Sequence, residues 1–469
     1  MIIKYGRTIP PRKESFMTNE KVLEWVSQQP PIHISNHDFE VPILYQELIE
    51  RKSMVFCNGA PYIWTGTYYR CVADQDISVI LTNLVCDEDR VELSPSTPQT
   101  VFKKLCVDNR LQVDIDGEAE KNRMYVNTRN GIYDIAKQEL IPNDGERTFN
   151  YELNFEYVNG ASIDKAPVFE EFVDSSLGID KLKFLLQIIG YCCSALVGAR
   201  SAFELIGPGK RGKSVIVSLL ESVVDEPLRS SLSFSDIGRR EYIVKLIGKI
   251  LNTCSDNDPA PMKNESLFKR ITACENVMGR DLYKSAVSFR PTATLIFASN
   301  HDLSFAHPDD ELWDRVIPLV FSKAIPEEIR DPDLLNKLIS EKNVIMSLAV
   351  DTLHDLVENG YKFDLPDDSK EYLERRRAEL HPERAFLERY TVLDPKGQVS
   401  SLKLWADFNQ FCTDNVIKPL GQKTFLTQVE AYADGIIKTT LGPAHKRYNG
   451  FKGLRYKNAI DFEGEDAEV

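Results

Sequence analysis

Between residues 203 and 214 the chain reads FELIGPGKRGKS. The residues from Gly207 to Ser214 fit G-x-x-x-x-G-K-[ST] at every fixed position. Glycines in this pattern let backbone N–H groups turn inward around an anion, and a helix N-terminus behind them adds positive dipole. FELI ahead of the loop reads as a buried strand, and VIVSLLESVV behind it as a helix with apolar residues at helical spacing. The expected contacts to ATP are Gly207, Gly209, Lys210, Arg211, Gly212, Lys213, Ser214 and Val215. Lys213 would reach the β- and γ-phosphates, and Ser214 would ligate Mg²⁺. Such a loop specifies a nucleotide's phosphates but not what is done with them.

Three downstream pieces speak to that use. LIGKILNTCSDND (246–258) is an apolar strand that emerges into acids. A carboxylate there would hold the Mg²⁺ shell or orient water. Asp256 is the first choice, and Asp258, two residues on, could share its face if the strand continues. TATLIFASN (292–300) is a strand ending at Asn300. A lone Asn after a strand is ordinarily a turn residue, but in motor ATPases a polar group at this place senses the γ-phosphate. ELWDRVIPLVF (311–321) sets Arg315 between an aromatic anchor and another apolar strand. An arginine so placed can stabilise transition-state charge on phosphate bound by a neighbouring subunit. The catalytic set is therefore expected to be Lys213, Asp256, Asp258, Asn300 and Arg315, with Ser214 and Asp256 on Mg²⁺.

The order of phosphate loop, acidic strand end, basic stretch, strand ending in Asn and W-x-R resembles a superfamily 3 helicase. More narrowly, it is similar to the primase-helicases of phages, plasmids and poxviruses. VNTRNGIYDI and LLQIIGY resemble segments ahead of that group's motor. LFKRITACENVMGRDLYKSAVSFRP (267–291) resembles its DNA-contacting hairpin, and the C-terminal region resembles its winged helix. The resemblance runs from about residue 50 to 458. It implies an ATP-hydrolysing ring, usually a hexamer, that translocates 3′ to 5′ on single-stranded DNA, with Arg315 supplied in trans. It also implies replicative unwinding for a phage, plasmid or viral-type element, forked DNA as a substrate, and a separate primase or initiator as a partner. Three departures stand out: Arg211 where the group usually has Asn, Asp256 where it has Glu or a pair of acids, and Ala273, Cys274 and Glu275 where Gly-Gly-Asp is common. The catalytic base stays open between Asp256 and Asp258. Two other readings of the phosphate loop are an ATPase that packages DNA or remodels protein, and an origin-binding protein whose nucleotide site is regulatory.

Single-strand binding is mainly phosphate electrostatics, with base stacking on aromatics in support. In the hairpin stretch the candidates are Lys269, Arg280 and Lys284, with Tyr283 as a stacker. Residues 435–460 hold six Lys or Arg and no Asp or Glu. There QKTFLTQVEAYA (422–433) reads as a recognition helix carrying Lys423, and 436–456 as a wing with Lys446, Arg447, Lys452 and Arg455 near its tip. The net charge of −14 argues against a polyanion partner only if it is spread evenly, which it is not. Asp114 and Asp116 in VDIDG form a D-x-D pair, but without a following histidine and later acid they read as a polar turn rather than a polymerase metal site.

The alternating strand and helix signals from about 201 to 325 point to an α/β fold, and the resemblance implies an AAA+ (ASCE) phosphate-loop ATPase core with a mixed α+β N-terminal domain and a C-terminal winged helix. The expected boundaries are an N-terminal domain at 1–158, a helical collar at 159–200, the motor at 201–345 and a helical linker at 346–382. The winged helix would follow at 383–460, with a disordered acidic tail at 461–469. DKLKFLLQIIGYCCSALVG (180–198) reads as a helix capped by Gly198. The 469 residues allow two to four domains, and no apolar run approaches a membrane span. Nine cysteines without a CxxC pair, and no secretory leader, place the expected site of action in the host cytoplasm.

Overall fold

A computed structural model describes residues 19–458, apart from 52–53, 58–59, 115–116, 118–119, 146, 258, 281–285, 325, 327–329, 416 and 444. Asp116, Asp258, Tyr283, Lys284 and the tail 461–469 thus lie outside the described residues. The chain divides into two compact units, 1–307 with 315–366, and 308–314 with 367–469.

The first unit opens with α1 (Asn19–Ser27), α2 (Glu40–Arg51) and an antiparallel meander of β1 (Met54–Cys57), β2 (Ala60–Trp64) and β3 (Tyr69–Cys71). Then come α3 (Asp74–Leu84), α4 (Asp87–Arg90) and α5 (Thr97–Cys106). Gly66, at φ +105°, makes the β2–β3 turn. These elements close a core of their own around Trp25, Leu44, Phe56, Ile80 and Val101. A second meander, β4 (Tyr125–Thr128), β5 (Gly131–Asp134) and β6 (Glu139–Ile141), belongs elsewhere. Its Val126, Ile132 and Tyr133 join the core that contains Phe203, Ile296 and Met346. The expected N-terminal domain, 1–158, is therefore split between two cores.

The remainder of this unit is built on α6 (Pro167–Ser176), α7 (Leu182–Cys192), β7 (Ala202–Ile206), α8 (Lys213–Val223), β8 (Arg229–Ser230), α9 (Phe234–Ile237), β9 (Leu251–Cys254) and α10 (Glu265–Thr272). A hairpin of β10 (Val277–Arg280) and β11 (Ala286–Phe289) follows, then β12 (Thr294–Ser299). The short α11 (Asp310–Trp313) counts with the second unit; β13 (Val316–Val320), α12 (Leu334–Asp351) and α13 (Leu353–Glu358) return to the first. Five strands make one parallel sheet in the order β13-β7-β12-β9-β8. All five residues of β7 and all six of β12 are buried, as strands covered by helices on both faces must be.

α7 ends at Cys192, short of the expected cap at Gly198. Ser194 turns its hydroxyl onto the Tyr191 carbonyl and accepts the Leu196 N–H, an alternative to the helical ladder that stops it. Gly198 serves another purpose: a Cβ there would lie within 1.9 Å of the Tyr361 ring. Gly190 lets α7 approach α12, where a Cβ would meet the Ala349 carbonyl oxygen at 2.3 Å. α12 runs unbroken across residue 345, the expected end of the motor, because its buried Leu338, Ile345, Met346 and Val350 pack into the same core.

The second unit comprises α11, α14 (Asp367–Leu380), α15 (Pro382–Tyr390), β14 (Thr391–Ser400), α16 (Ser401–Asp414), α17 (Gln422–Ala431), β15 (Ile437–Leu441) and β16 (Tyr448–Tyr456). Its sheet has the order β14-β16-β15. The sequence reading places helices and a basic hairpin here and misses β14. The Pro395 and Gly397 that disguise it fall where the register slips between Asp394 and Gln398. Phe408 stacks on Phe425, centroids 4.1 Å apart, at the centre of this unit's core. Among the described residues no helix is long and apolar enough to cross a membrane.

Candidate functional site

β7 delivers the chain into the loop 207–212, and α8 begins at Lys213 directly after Gly212. Gly207 (φ +152°) and Gly212 (φ +96°) both occupy the region that favours glycine. A Cβ on Gly207 would come within 2.5 Å of the Phe321 carbonyl oxygen, and one on Gly212 within 2.7 Å of the Phe172 ring. Gly209 faces open space, with the Asn300 Oδ1 4.0 Å from where its Cβ would be. Lys210 is left-handed at φ +63° without being glycine, a strain of roughly 1–2 kcal/mol.

Lys213 is only 6% exposed. Its ammonium donates to the carbonyl oxygens of Gly207 (2.6 Å) and Pro208 (2.9 Å) and to Asn300 Oδ1 (3.0 Å). Burial, and then the nearby Arg211 guanidinium, lower its pKa from the ordinary lysine value. A polyanion over the loop would favour the charged form again. Ser214 is exposed on the first turn of α8, and Val215 is half-buried beside it. Backbone cradle, helix N-terminus, buried ammonium and exposed hydroxyl together fit the triphosphate and Mg²⁺ of a nucleotide.

Arg211 has a partner that the sequence does not reveal. Its Nη1 donates to the carbonyl oxygens of Phe321 (3.3 Å) and Ser322. It thereby latches the loop to the chain leaving β13, beside the carbonyl that Gly207 must clear. Glu204, absent from the expected set, lies fully buried in β7, with Oε1 accepting the Leu303 N–H at 2.9 Å. It fixes the loop that begins at Asn300 to the strand that precedes the phosphate loop. The signal was a carboxylate inside an otherwise apolar strand.

Asp256 lies two residues past the end of β9 and is exposed. β9 and β12 are parallel neighbours, with Cys254 opposite Phe297, so Asp256 and Asn300 leave the same edge of the sheet. Asn257, which the sequence reading passed over, pins that edge. It is buried, accepts the Phe234 N–H (2.8 Å) and donates to the Ala298 carbonyl (3.1 Å).

Arg315 stands apart from this group. Val316 pairs with Ala202, and the Ala202 N–H donates to the Arg315 carbonyl at 2.8 Å. Arg315 is therefore at the start of β13, and the phosphate loop leaves the other end of the parallel β7, roughly 15 Å away at 3.3 Å per residue. Its Nη1 donates to the Lys269 carbonyl (3.1 Å) and to Thr272 Oγ1 (3.2 Å), so the side chain seals the last turn of α10.

Lys269 is half-buried on α10 and is not part of the hairpin; Arg280 is exposed at the end of β10. Cys274, the middle residue of the triplet that replaces Gly-Gly-Asp, is left-handed at φ +52°. The turn keeps a glycine-like backbone without the glycine. In the second unit Lys423 is exposed on the first turn of α17, and Lys446 and Arg447 are exposed in the β15–β16 connection. The other two expected wing-tip cations are elsewhere. Lys452 is exposed within β16, opposite Ile437. Arg455 lies at the far end of that strand, its Nε 3.1 Å from Asp394 Oδ2, because the strand is long enough to carry it away from the tip. Asp114 accepts the Gly117 N–H at 3.0 Å.

Residues 49–178 match a family described as D5 N terminal like, and residues 205–315 match a family of unknown function, DUF5906. The chain is 21% identical over 248 residues to a protein of Acanthamoeba polyphaga mimivirus named "Putative helicase L207/L206". That match covers 49% of this chain and 25% of the relative, so the chain spans about a quarter of that protein's length. Among solved structures, the apo NrS-1 C terminal region superposes with a TM-score of 0.51 at 12% identity, covering 89% of this chain and 100% of that one. At that identity the likeness is one of fold.

Proposed function

We propose that the chain is an ATP-dependent replicative DNA helicase of a phage, plasmid or viral-type element, acting as a ring, a hexamer by resemblance, that moves 3′ to 5′ on single-stranded DNA. One observation carries the reading. Lys213 and Asn300 converge over the phosphate loop, with Asp256 leaving the same sheet edge, while Arg315 sits a strand's length away at the opposite edge. An arginine so placed serves a neighbour's nucleotide, not its own. The sheet order supports an AAA+ core: numbered along the chain, the strands run 5-1-4-3-2. In the second unit, the succession α15, β14, α16, α17, β15, β16 supports the winged-helix reading, in which α17 would be the recognition helix and Lys446 and Arg447 would stand at the wing tip.

ATP with Mg²⁺ supplies the phosphoryl transfer. Lys213 would neutralise phosphate charge, Ser214 and Asp256 would hold the metal, Asp256 and Asn300 would orient water, and Arg315 of a neighbouring subunit would stabilise the transition state. DNA would meet Arg280 and the hairpin, and duplex would meet Lys423, Lys446, Arg447 and Lys452. The test is ATP hydrolysis with and without single-stranded DNA, together with unwinding of a 3′-tailed duplex. Stimulation and unwinding are expected. Hydrolysis indifferent to DNA, with no unwinding, would turn the reading toward packaging, remodelling or a regulatory nucleotide site.

A further inference from the structure

A second polar cluster lies far along the chain from the phosphate loop, where the segment after α1 meets the start of α4. A parallel bridge joins Ile32 to Val85: the Ile32 N–H donates to the Leu84 carbonyl (2.7 Å), and the Cys86 N–H donates to the Ile32 carbonyl (2.9 Å). This sets His33 beside Cys86 and brings in Asp89 one turn later. His33 Nδ1 is 3.7 Å from Asp89 Oδ2, and the Cys86 thiol donates to the same oxygen at 2.9 Å. One donor atom from each of the three lies within 4.8 Å of the others. His37 follows, its Nε2 3.9 Å from Asp89 Oδ1 and 3.5 Å from Glu92 Oε2.

We propose that His33, Cys86 and Asp89 hold a zinc ion, with His37 Nε2 as the fourth ligand. Donors around tetrahedral zinc, at bond lengths of about 2.0–2.3 Å, stand roughly 3.5 Å apart, close to the spacing of the His33, Cys86 and Asp89 donors, while His37 Nε2, 3.9 Å from Asp89 Oδ1, would have to swing in. The mixed S, N and O set at H-x₃-H and C-x₂-D spacing suits zinc, whereas Ca²⁺ and Mg²⁺ want oxygen alone.

The supporting contacts point the same way. A ligating histidine characteristically passes its other ring nitrogen to a carboxylate. His37 Nδ1 lies 3.2 Å from Glu40 Oε1. Glu40 is buried and is itself fixed by the Thr97 hydroxyl (2.6 Å) and the Ser94 N–H (3.1 Å). Asp89 Oδ2 is oriented by the Ile34 N–H at 2.8 Å. Binding releases the Cys86 thiol proton to solvent and converts a hydrogen bond into a metal–thiolate bond. The ion would staple the loop 32–37 to the start of α4, and it does so whether or not the motor reading holds.

The test uses the full chain, reduced, stripped with chelator and free of nucleotide. Zn²⁺ affinity is read by competition with a chromophoric chelator, and geometry by Co²⁺ absorption. One ion per chain is expected, with tetrahedral Co²⁺ bands and a thiolate-to-metal charge-transfer band. Cys86→Ser should abolish that band and weaken Zn²⁺ binding at least tenfold. It should also fold, since Cys86 is the N-cap of α4 and serine is a preferred cap. His33→Ala and Asp89→Asn should weaken binding likewise, and Glu40→Gln about 10–100-fold. Cys254→Ser, at a half-buried thiol next to the nucleotide site, should change nothing. Octahedral Co²⁺ without charge transfer, Zn²⁺ binding unaltered in Cys86→Ser, or binding lost in Cys254→Ser would each overturn the proposal.

Discussion

Replacing Arg211 with alanine isolates the latch between the phosphate loop and β13. The side chain contributes two charge-assisted hydrogen bonds, to the carbonyls of Phe321 and Ser322. Such bonds are worth about 1.5–3 kcal/mol each when buried. Arg211 is half-exposed, so the lower end, discounted for solvent, leaves about 1.5–2 kcal/mol for the pair. That energy holds the loop in place before nucleotide arrives. Without it the loop is ordered only on binding, and affinity is scaled down by the fraction of time the loop is in place. At 1.4 kcal/mol per tenfold, the nucleotide dissociation constant should rise about 10–30-fold. A fluorescent ATP analogue titrated into wild type and Arg211→Ala measures it. The melting temperature of the nucleotide-free protein should barely move, because the loop is at the surface. Unchanged affinity would refute the latch. A loss beyond about 1,000-fold would refute it too, by showing that Arg211 touches the phosphates directly. Arg211→Asn, which installs the residue usual in the similar group, should fall between alanine and wild type.

Other expectations follow from the same geometry. Lys213→Ala should abolish ATP hydrolysis, measured as phosphate release, since its ammonium gathers the loop carbonyls and Asn300. Arg315→Ala should abolish hydrolysis while leaving nucleotide binding intact, and mixing it with Lys213→Ala chains should restore some activity; failure to restore any would count against action in trans. Because Arg315 also seals α10, that variant should lose about 1–2 kcal/mol as well, seen as a drop of a few degrees by calorimetry. Lys446→Glu with Arg447→Glu should weaken duplex binding and flatten the log–log salt dependence by about two charges, whereas Arg455→Gln, already paired with Asp394, should leave the slope nearly unchanged. The Cys412 thiol, pushed up to about 11 chiefly by burial, should resist alkylation at pH 8, where about one molecule in a thousand is thiolate. Stoichiometric labelling at that site would mean the second unit opens readily.

What the sequence made legible was whatever chain neighbours determine. The phosphate loop, the apolar strands around it and the polar residues at their ends are written in contiguous stretches with characteristic periods. Arg211 was visible as an oddity but its role was not, because its partners are 110 and 111 residues away. Glu204 and Asn257 were passed over for the same reason: a buried polar side chain is explained only by the distant N–H or carbonyl it satisfies. β14 was hidden by a bulge, since Pro395 and Gly397 carry turn chemistry into the middle of a strand. Arg455 was misplaced because nothing local fixes how far a β-ribbon runs before it turns.

The split of the first 158 residues has a consequence for history. The cluster around Trp25, Leu44 and Phe56 shares no side chain with the one around Tyr133, Phe203 and Met346. Polar ties such as the Tyr69 N–H to the Phe149 carbonyl, and Arg70 to Asp225, join the two parts. Tyr68 of the front piece also packs against the second cluster, but the buried residues of each core can accumulate substitutions with little repacking of the other. The stretch between Leu111 and Tyr125 is where an exchange of genetic material would do least damage. A lineage could replace the front piece, or acquire a different one, and still inherit an intact parallel-sheet core behind it.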